Sequence, residues 1–533
     1  MSHVITQNCC KDASCVPACP VDCIRPAHPR DRTAPTEMLF IDPDTCIDCG
    51  ACMEECPVDA IYYDEDLPAE LEIFRDINAR YFARHPLEPS VPHRPDDHDG
   101  VDRGALRVAI VGAGPAACYA AAALMRTDGV EIDVYDRLPT PFGLIRAGVA
   151  PDHQHTKSVV DIFARMFGDK RVACHFNVQV GRDVTHDDLA SHHHAVIYAV
   201  GAARSRRLEI AGEDLPGSHP AADFVGWYNG HPEHSGHTFD LSGERAVIVG
   251  NGNVALDVAR VLLLPTEDLA TTDIAQHALD ALARSSIREV VLLGRRGPRH
   301  GAYSVGEFAA LEHLPGIDIV VEADETGSSP DDDIETALKL ELAHRYARRA
   351  PTPGNKRIVF RYNVSPTEIV GSGHAAGVVI GAADGTSETL TTRLILRSIG
   401  YRGTPIPALP FDEDSGVIPN DGGRVLDDAG APVAGVYVTG WIKRGPRGVI
   451  GSNRACAEET VERLWQDFDR GLLSRPLPDR GAIGQLLSTR GAERVGWEQW
   501  RAIDAEERRL GSAAKRPRVK FVDVAEMLAE ARK

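Results

Sequence analysis

Nine of the twelve cysteines fall within the first 56 residues, at Cys9, Cys10, Cys15, Cys19, Cys23, Cys46, Cys49, Cys52 and Cys56, while Cys118, Cys174 and Cys456 stand alone. A disulfide scaffold of that density needs an oxidising compartment. The opening Met1 to Thr6 lacks the basic-then-apolar pattern of a secretory leader. The longest apolar runs, Val196 to Val200 and Ala246 to Val249, fall far below the ~18 to 20 residues that span a bilayer. The expected setting is therefore cytoplasmic, without membrane insertion, and the expected use of the thiolates is metal ligation.

The run Cys46, Cys49, Cys52, Cys56, Pro57 has the spacing C-x2-C-x2-C-x3-C-P. In that spacing three thiolates hold one cubane and the fourth reaches a different cluster. A zinc knuckle, needing only four ligands, has no use for the interleaved cysteine. The same ruler laid on the earlier run gives Cys9, Asp12, Cys15, Cys19, Pro20, with Asp12 in place of the second cysteine, and each run continues Pro-Val-Asp. This is an internal repeat with exchanged ligands. Cys46, Cys49, Cys52 and Cys19 are expected to hold a [4Fe-4S] cluster. Cys9, Cys15 and Cys56 would hold the other, with Asp12 either completing a labile [4Fe-4S] centre or leaving a [3Fe-4S] one. Cys10 and Cys23 are surplus and expected not to ligate, although Cys10 competes with Cys9. The segment resembles the two-cluster bacterial ferredoxins, particularly the seven-iron type, but its first two ligands are closer together.

Charge separates this segment from the remainder. Residues 1–86 carry 16 Asp and Glu against 7 Lys and Arg, and the whole chain has a formal charge of -20. Such a balance disfavours nucleic acid and anionic membrane surfaces as partners. Leu67 to Phe82 is expected to be a closing helix, and the proline- and charge-rich stretch from His85 to Gly100 an extended linker.

The sequence then shifts to a strand-turn-helix pattern used twice. Arg107 to Val111 leads into Gly112, Ala113 and Gly114, and a second strand ends at Asp136. This is the G-x-G-x-x-A fingerprint, in which glycines admit a pyrophosphate to a helix N-terminus and an acid ~20 residues on binds a ribose. The pattern recurs at Gly250, Asn251, Gly252, Asn253, Val254 and Ala255. Its ribose-reading strand, delayed by a helical-looking insertion from Leu264 to Ser286, ends in Arg295 and Arg296, which suit the 2′-phosphate of NADP(H). A third strand and glycine turn, Gly435 to Gly451, leads into a helix through Glu458, Val461 and Leu464 and offers backbone N–H groups to a flavin. The triplet His192, His193 and His194 is expected to be a solvated turn.

From about residue 105 onward the chain resembles the ferredoxin-NADP reductases of the adrenodoxin-reductase type, and as a whole the form with a fused N-terminal ferredoxin. The motifs that carry this are Leu138 to Leu144, Gly148 to His153, Gly250 to Asp257, Gly294 to Gly297, Ser398 to Gly403 and Gly440 to Pro446. The resemblance implies that FAD contacts Ala113, Asp136, Leu144, Val180, Trp441 and Gly448, Val449 and Ile450. It implies that NADP(H) contacts Asn251 to Val254, Arg295, Arg296, Glu307 and Gly448, with His153 and Glu307 beside the reacting rings. The expected fold is multidomain: an α+β ferredoxin domain over 1–86, a linker over 87–104, and an α/β Rossmann-like reductase. In the reductase, 105–203 and 405–533 form the FAD domain and 204–404 the NADP domain.

The implied activity passes a hydride from NADPH to FAD and single electrons onward to iron-sulfur clusters, in this chain or in an external ferredoxin or cytochrome P450 chain. Two alternatives stand beside it: an electron-input subunit like the small subunit of glutamate synthase, and a non-enzymatic redox sensor. A sensor has no need of the second dinucleotide site. An active disulfide is excluded because no C-x-x-C lies beyond Cys56.

Overall fold

Strands buried on both faces, such as Arg107–Val111 and Glu289–Gly294, can be satisfied only in sheets covered by helices on either side. The computed structural model shows two such sheets; it describes residues 2–26, 38–87, 98–323, 327–329, 332–382 and 384–533. The first has seven strands in the order Asn420–Asp421, Arg424–Leu426, Pro432–Val438, Ala195–Tyr198, Arg107–Val111, Glu131–Asp136 and Val172–Phe176. Its last five strands are parallel and its first two form an antiparallel edge. The second has six parallel strands in the order Ser218–Pro220, Leu394–Arg397, Arg245–Val249, Glu289–Gly294, Lys356–Tyr362 and Ile317–Glu322. The chain leaves the first lobe and returns to it through a paired ribbon, Arg204–Ser205 against Tyr401–Arg402. The insertion from Leu264 to Ser286 contains two short helices, Thr266–Leu269 and Gln276–Leu282.

The N-terminal unit is α+β and small. Strand His3–Ile5 pairs antiparallel with Ile61–Tyr63, and Ile24–Arg25 with Phe40–Ile41. The closing helix spans Ile73–Arg84 and starts later than the sequence suggested, because a 3-10 turn at Ala69–Leu71 follows Pro68. Buried Asn78 ties this helix to both ribbons: its Oδ1 accepts from the Ile41 N–H at 2.8 Å and its Nδ2 donates to the Ile5 carbonyl at 2.9 Å. Part of the expected linker, residues 88–97, lies outside the described residues. Among the described residues no helix is long and apolar enough to cross a membrane.

The histidine triplet is not a solvated turn. His193 is fully buried and its Nε2 lies 3.3 Å from Asp133 Oδ2, while His175 Nε2 lies 2.9 Å from Asp133 Oδ1. His194 Nδ1 accepts the Arg107 N–H at 2.9 Å. The strand these histidines introduce is central in the sheet, so their side chains fall into its covered faces.

Candidate functional site

The two glycine turns are built alike. Gly112 and Gly250 have φ of +106° and +113°, and each donates its N–H to the neighbouring strand, to Tyr135 at 2.7 Å and to Leu293 at 2.9 Å. A side chain at either position would collide with the carbonyl of Ala199 or Ser398, so only glycine serves. Gly114 and Gly252 then cap the helices Pro115–Met125 and Asn253–Leu263, whose free N–H groups favour an anion. Asp136 ends its strand beside the first turn and accepts from the Ala113 N–H at 2.8 Å and the Leu138 N–H at 2.9 Å. Burial pushes its carboxyl up, and these N–H groups only partly offset it.

Leu144, half exposed at the start of the helix Leu144–Ala147, stands by the same turn, since Gly143 packs on Gly114. Val180 packs against the apolar cluster to which Val111, Val178 and Tyr198 belong. Trp441, Gly448, Val449 and Ile450 enter from the end of Pro432–Val438, and the Trp441 Nε1–H donates to the Arg447 carbonyl at 3.2 Å. In the second lobe, Asn251 and Asn253 accept from Ala302 and Ser304 N–H groups, with Val254 in the first turn of the following helix. Arg295 and Arg296 are exposed at the end of Glu289–Gly294 and have no ion-pair partner among the described residues.

The densest electrostatics surround Arg260, a residue the sequence reading missed. It is buried, and its guanidinium donates to Asp152 Oδ2 at 2.8 Å, Glu307 Oε2 at 2.9 Å and Asp257 Oδ1 at 2.6 Å, and touches His153 Nε2. His153 Nδ1 lies 3.7 Å from Glu307 Oε1. Burial pushes the Asp152 carboxyl up, but Arg260 and His153 outweigh it and hold the group at about 2. Asp257 goes the other way, raised because burial and the neighbouring acids exceed the pull of Arg260. The signal was present as Asp257 and Arg260 at i, i+3, which places both on one helix face.

His153, Asp257 and Glu307 line a cavity of about 210 Å3 together with Asn253 and the Val449–Ile450 turn, and the N-terminal unit forms another wall of it with Gln7 to Cys10. The contact is intimate. Gly451 donates its N–H to the Cys10 carbonyl at 2.8 Å, and a Cβ on Gly451 would stand 2.2 Å from Lys11 backbone atoms.

The cysteines gather in the two sets the spacing indicated. Cys19, Cys46, Cys49 and Cys52 line one small hollow with His3, Ile24 and Ile41. Cys23 lines it too, its Sγ 3.4 Å from that of Cys19 and its N–H donating to the same sulfur. Cys9, Cys15 and Cys56 lie close enough that their thiols influence one another beyond the dominant effect of burial. Cys9 and Cys56 each accept a backbone N–H, from Lys11 at 3.4 Å and Ala60 at 3.3 Å. Thiolates that accept N–H bonds in a partly apolar pocket fit iron-sulfur ligation.

The Asp12 carboxylate lies near enough to the first set to push the Cys10, Cys15 and Cys56 thiols up, beyond the larger effect of burial, and it also makes contacts of its own. It is buried, its Oδ2 accepts from the Tyr119 hydroxyl at 2.6 Å, and its Oδ1 accepts from Ser14 and lies 3.5 Å from Arg454. Tyr119 and Arg454 belong to the helices Pro115–Met125 and Ser452–Asp469 of the first lobe. The interdomain contact has claimed the side chain.

Residues 39–62 match the 4Fe-4S binding domain family and residues 106–296 the pyridine nucleotide-disulphide oxidoreductase family. The chain is 48% identical over 552 residues to a Mycobacterium tuberculosis protein named "Probable ferredoxin/ferredoxin-NADP reductase", covering 100% of this chain and 95% of the relative. It is 44% identical over 451 residues to "NADPH-ferredoxin reductase FprA" of the same species, covering 79% of this chain and 98% of that one. The solved structure of M. tuberculosis FprA in complex with NADPH superimposes with a TM-score of 0.75 at 41% identity, covering 80% of this chain and 100% of its own.

Proposed function

This chain belongs to the ferredoxin-NADP reductases of the adrenodoxin-reductase type with a fused ferredoxin domain, and on that premise we propose that it is an FAD-dependent NADPH-ferredoxin oxidoreductase serving electron transport. The observation that carries the proposal is the shared cavity, walled by the second lobe, the Val449–Ile450 turn and the ferredoxin loop Gln7 to Cys10. Bound FAD supplies the conversion of a hydride's electron pair into single electrons, which iron-sulfur clusters accept one at a time.

The chain's own groups divide the work. Gly112 to Gly114 and Asp136 hold the pyrophosphate and ribose of FAD, and Leu144, Val180, Trp441 and Gly448 to Ile450 frame its ring. Asn251 to Val254 hold the NADP(H) pyrophosphate. Arg295 and Arg296, exposed and without an ion-pair partner among the described residues, take the 2′-phosphate. Arg260 fixes Glu307 and His153 beside the reacting rings. Its surrounding carboxylates favour a cationic oxidised nicotinamide over an anion in the same place. The ferredoxin loop narrows the mouth of the cavity and so limits the access of water to it.

In the ferredoxin domain, Cys19, Cys46, Cys49 and Cys52 hold a [4Fe-4S] cluster. Cys9, Cys15 and Cys56 hold a [3Fe-4S] cluster, because the Asp12 oxygens are already engaged. The domains run as 1–86, 87–104, 105–203 with 405–533, and 204–404, a division supported by the separate sheets. Electrons leave by the face where Cys49 is exposed, with Ile47 at 58% and Met53 at 37% exposure. An external ferredoxin or a cytochrome P450-type protein docks there. The reduced thiols needed for ligation fit a cytoplasmic setting.

The test is nucleotide preference. Replacing Arg295 and Arg296 by Ala is expected to raise KM for NADPH by roughly tenfold or more and to leave NADH within about twofold, because only the 2′-phosphate loses partners. Equal effects on both nucleotides overturn the assignment.

A further inference from the structure

We propose that Asp223, His234 and His237 form a binding site for a divalent first-row metal ion of the zinc class, separate from the iron-sulfur segment. The site begins on the helix Ala221–Tyr228, where Asp223 and Gly226 share one face. Gly226 leaves that face bare: a Cβ there would stand 2.4 Å from His234 Cδ2, so the imidazole lies directly on the helix backbone. The following loop folds back through consecutive turns, with the His234 N–H donating to the His231 carbonyl at 2.9 Å and the His237 N–H to that of His234 at 3.0 Å. Those turns set the two rings edge to face, 5.4 Å apart, both within reach of Asp223.

The distances suit a shared ion better than they suit ion pairs. His234 Nδ1 lies 3.5 Å from Asp223 Oδ1 and His237 Nδ1 lies 3.9 Å from Asp223 Oδ2, and one ligand atom from each residue falls within 4.8 Å of the others. Ligand atoms at 2.0 to 2.1 Å from a tetrahedral zinc ion are about 3.4 Å apart. His234 Nδ1 is buried and has no hydrogen-bond partner among the described residues, an arrangement that costs stability unless something else engages the atom. Two imidazoles and one carboxylate match zinc chemistry and leave the fourth position to water.

The site also has a place in the architecture. Glu233, in the same loop, pairs with Arg137, the residue after Asp136. The loop therefore bridges from the NADP lobe to the FAD lobe, and a bound ion stiffens that bridge.

The test uses the holoenzyme, with flavin and clusters loaded, dialysed against zinc sulfate and then analysed for zinc and iron. The wild type is expected to retain one additional zinc per chain without losing iron. His237→Gln and Asp223→Asn are expected to bind that zinc at least ~100-fold more weakly. Zinc-edge absorption should show imidazole nitrogen and carboxylate oxygen near 2.0 to 2.1 Å. His237 is the most exposed of the three, so its variant guards against a folding artefact; unchanged NADPH-ferricyanide activity and flavin content verify this. Equal zinc binding by wild type and variants, no zinc binding by the wild type, or sulfur ligands near 2.3 Å would each overturn the proposal.

Discussion

The seam between the FAD and NADP lobes and the seam between the ferredoxin domain and those lobes are made of different chemistry. At the first, charges are buried. Lys157 and Lys520 grip Asp273 at 2.6 and 2.8 Å, Lys157 also reaches Asn229 at 3.1 Å, and Arg260 from one lobe binds Asp152 of the other. At the second, Arg80 meets Glu341 at 2.9 Å through partly exposed side chains, and Asp12 is buried against Tyr119 and Arg454. Breaking a buried network strands a charge and costs about 3 to 5 kcal/mol, whereas an exposed pair is worth about 0.2 to 1 kcal/mol. The lobes are thus fixed to one another by buried charge, while the ferredoxin domain is held chiefly by apolar packing, Phe74 and Ile77 against the NADP lobe and Cys10 and Val58 against the FAD lobe.

Four substitutions can break or sharpen this contrast. The largest effect is expected from Asp273→Asn, which leaves two buried lysines without a counter-charge and should cost the holoenzyme about 3 to 5 kcal/mol in a denaturant titration. Burial pushes the Asp273 carboxyl up, but Lys157 and Lys520 outweigh it and hold it below the usual range. A folded pKa below the unfolded value of about 3.9 means its stabilisation is complete above that pH and lost as pH falls through the folded value. An unmoved midpoint would remove the claim that this seam is fixed.

Next comes Gly451→Val, which puts a side chain where Lys11 backbone lies. Overpacking of about 1 to 3 kcal/mol lowers the docked population roughly 5- to 150-fold. Cluster reduction by NADPH should slow accordingly in stopped-flow while ferricyanide reduction holds. Cluster reduction at the wild-type rate would show that the Cys10 to Asp12 loop is not the inlet.

Asp12→Asn is expected to weaken docking by about 1 kcal/mol, the difference between a charged and a neutral hydrogen bond with Tyr119. Its sharper readout is iron content, which should stay the same; a changed iron-to-protein ratio would make Asp12 a ligand after all. Arg80→Ala should be the smallest, at about 0.5 kcal/mol and diminished further by salt. A large loss there would mean the second seam resembles the first.

Local chemistry was legible in the sequence because it repeats at fixed spacing. The two cysteine runs, the two glycine turns and the arginine pair are each defined within a few tens of residues, and the structure brings each together. The ring around Arg260 was harder to see, since Asp152, His153, Asp257 and Glu307 come from three separated segments joined only by the lobes' packing. Asp12 shows the same limit from the other side: spacing aligned it with a cysteine, but Tyr119, 107 positions away, determines what its carboxylate touches. His193 was misjudged because a run of imidazoles looks polar in isolation, and only the position of the next strand in the sheet shows that it is covered.

The paired ribbon through which the chain leaves and re-enters the first lobe has a consequence for synthesis. Val196 must wait for Val436, its neighbour in the sheet, which lies 240 positions later. At roughly 5 to 20 residues per second on the ribosome, that delay is on the order of 10 to 50 seconds. Throughout it the strand Ala195–Tyr198 keeps an open edge, a template for wrong pairing. The intervening lobe carries its own six-stranded sheet and can close while the first lobe waits. Its completion brings Arg204 beside Arg402, and so delivers the late strand to the edge that needs it.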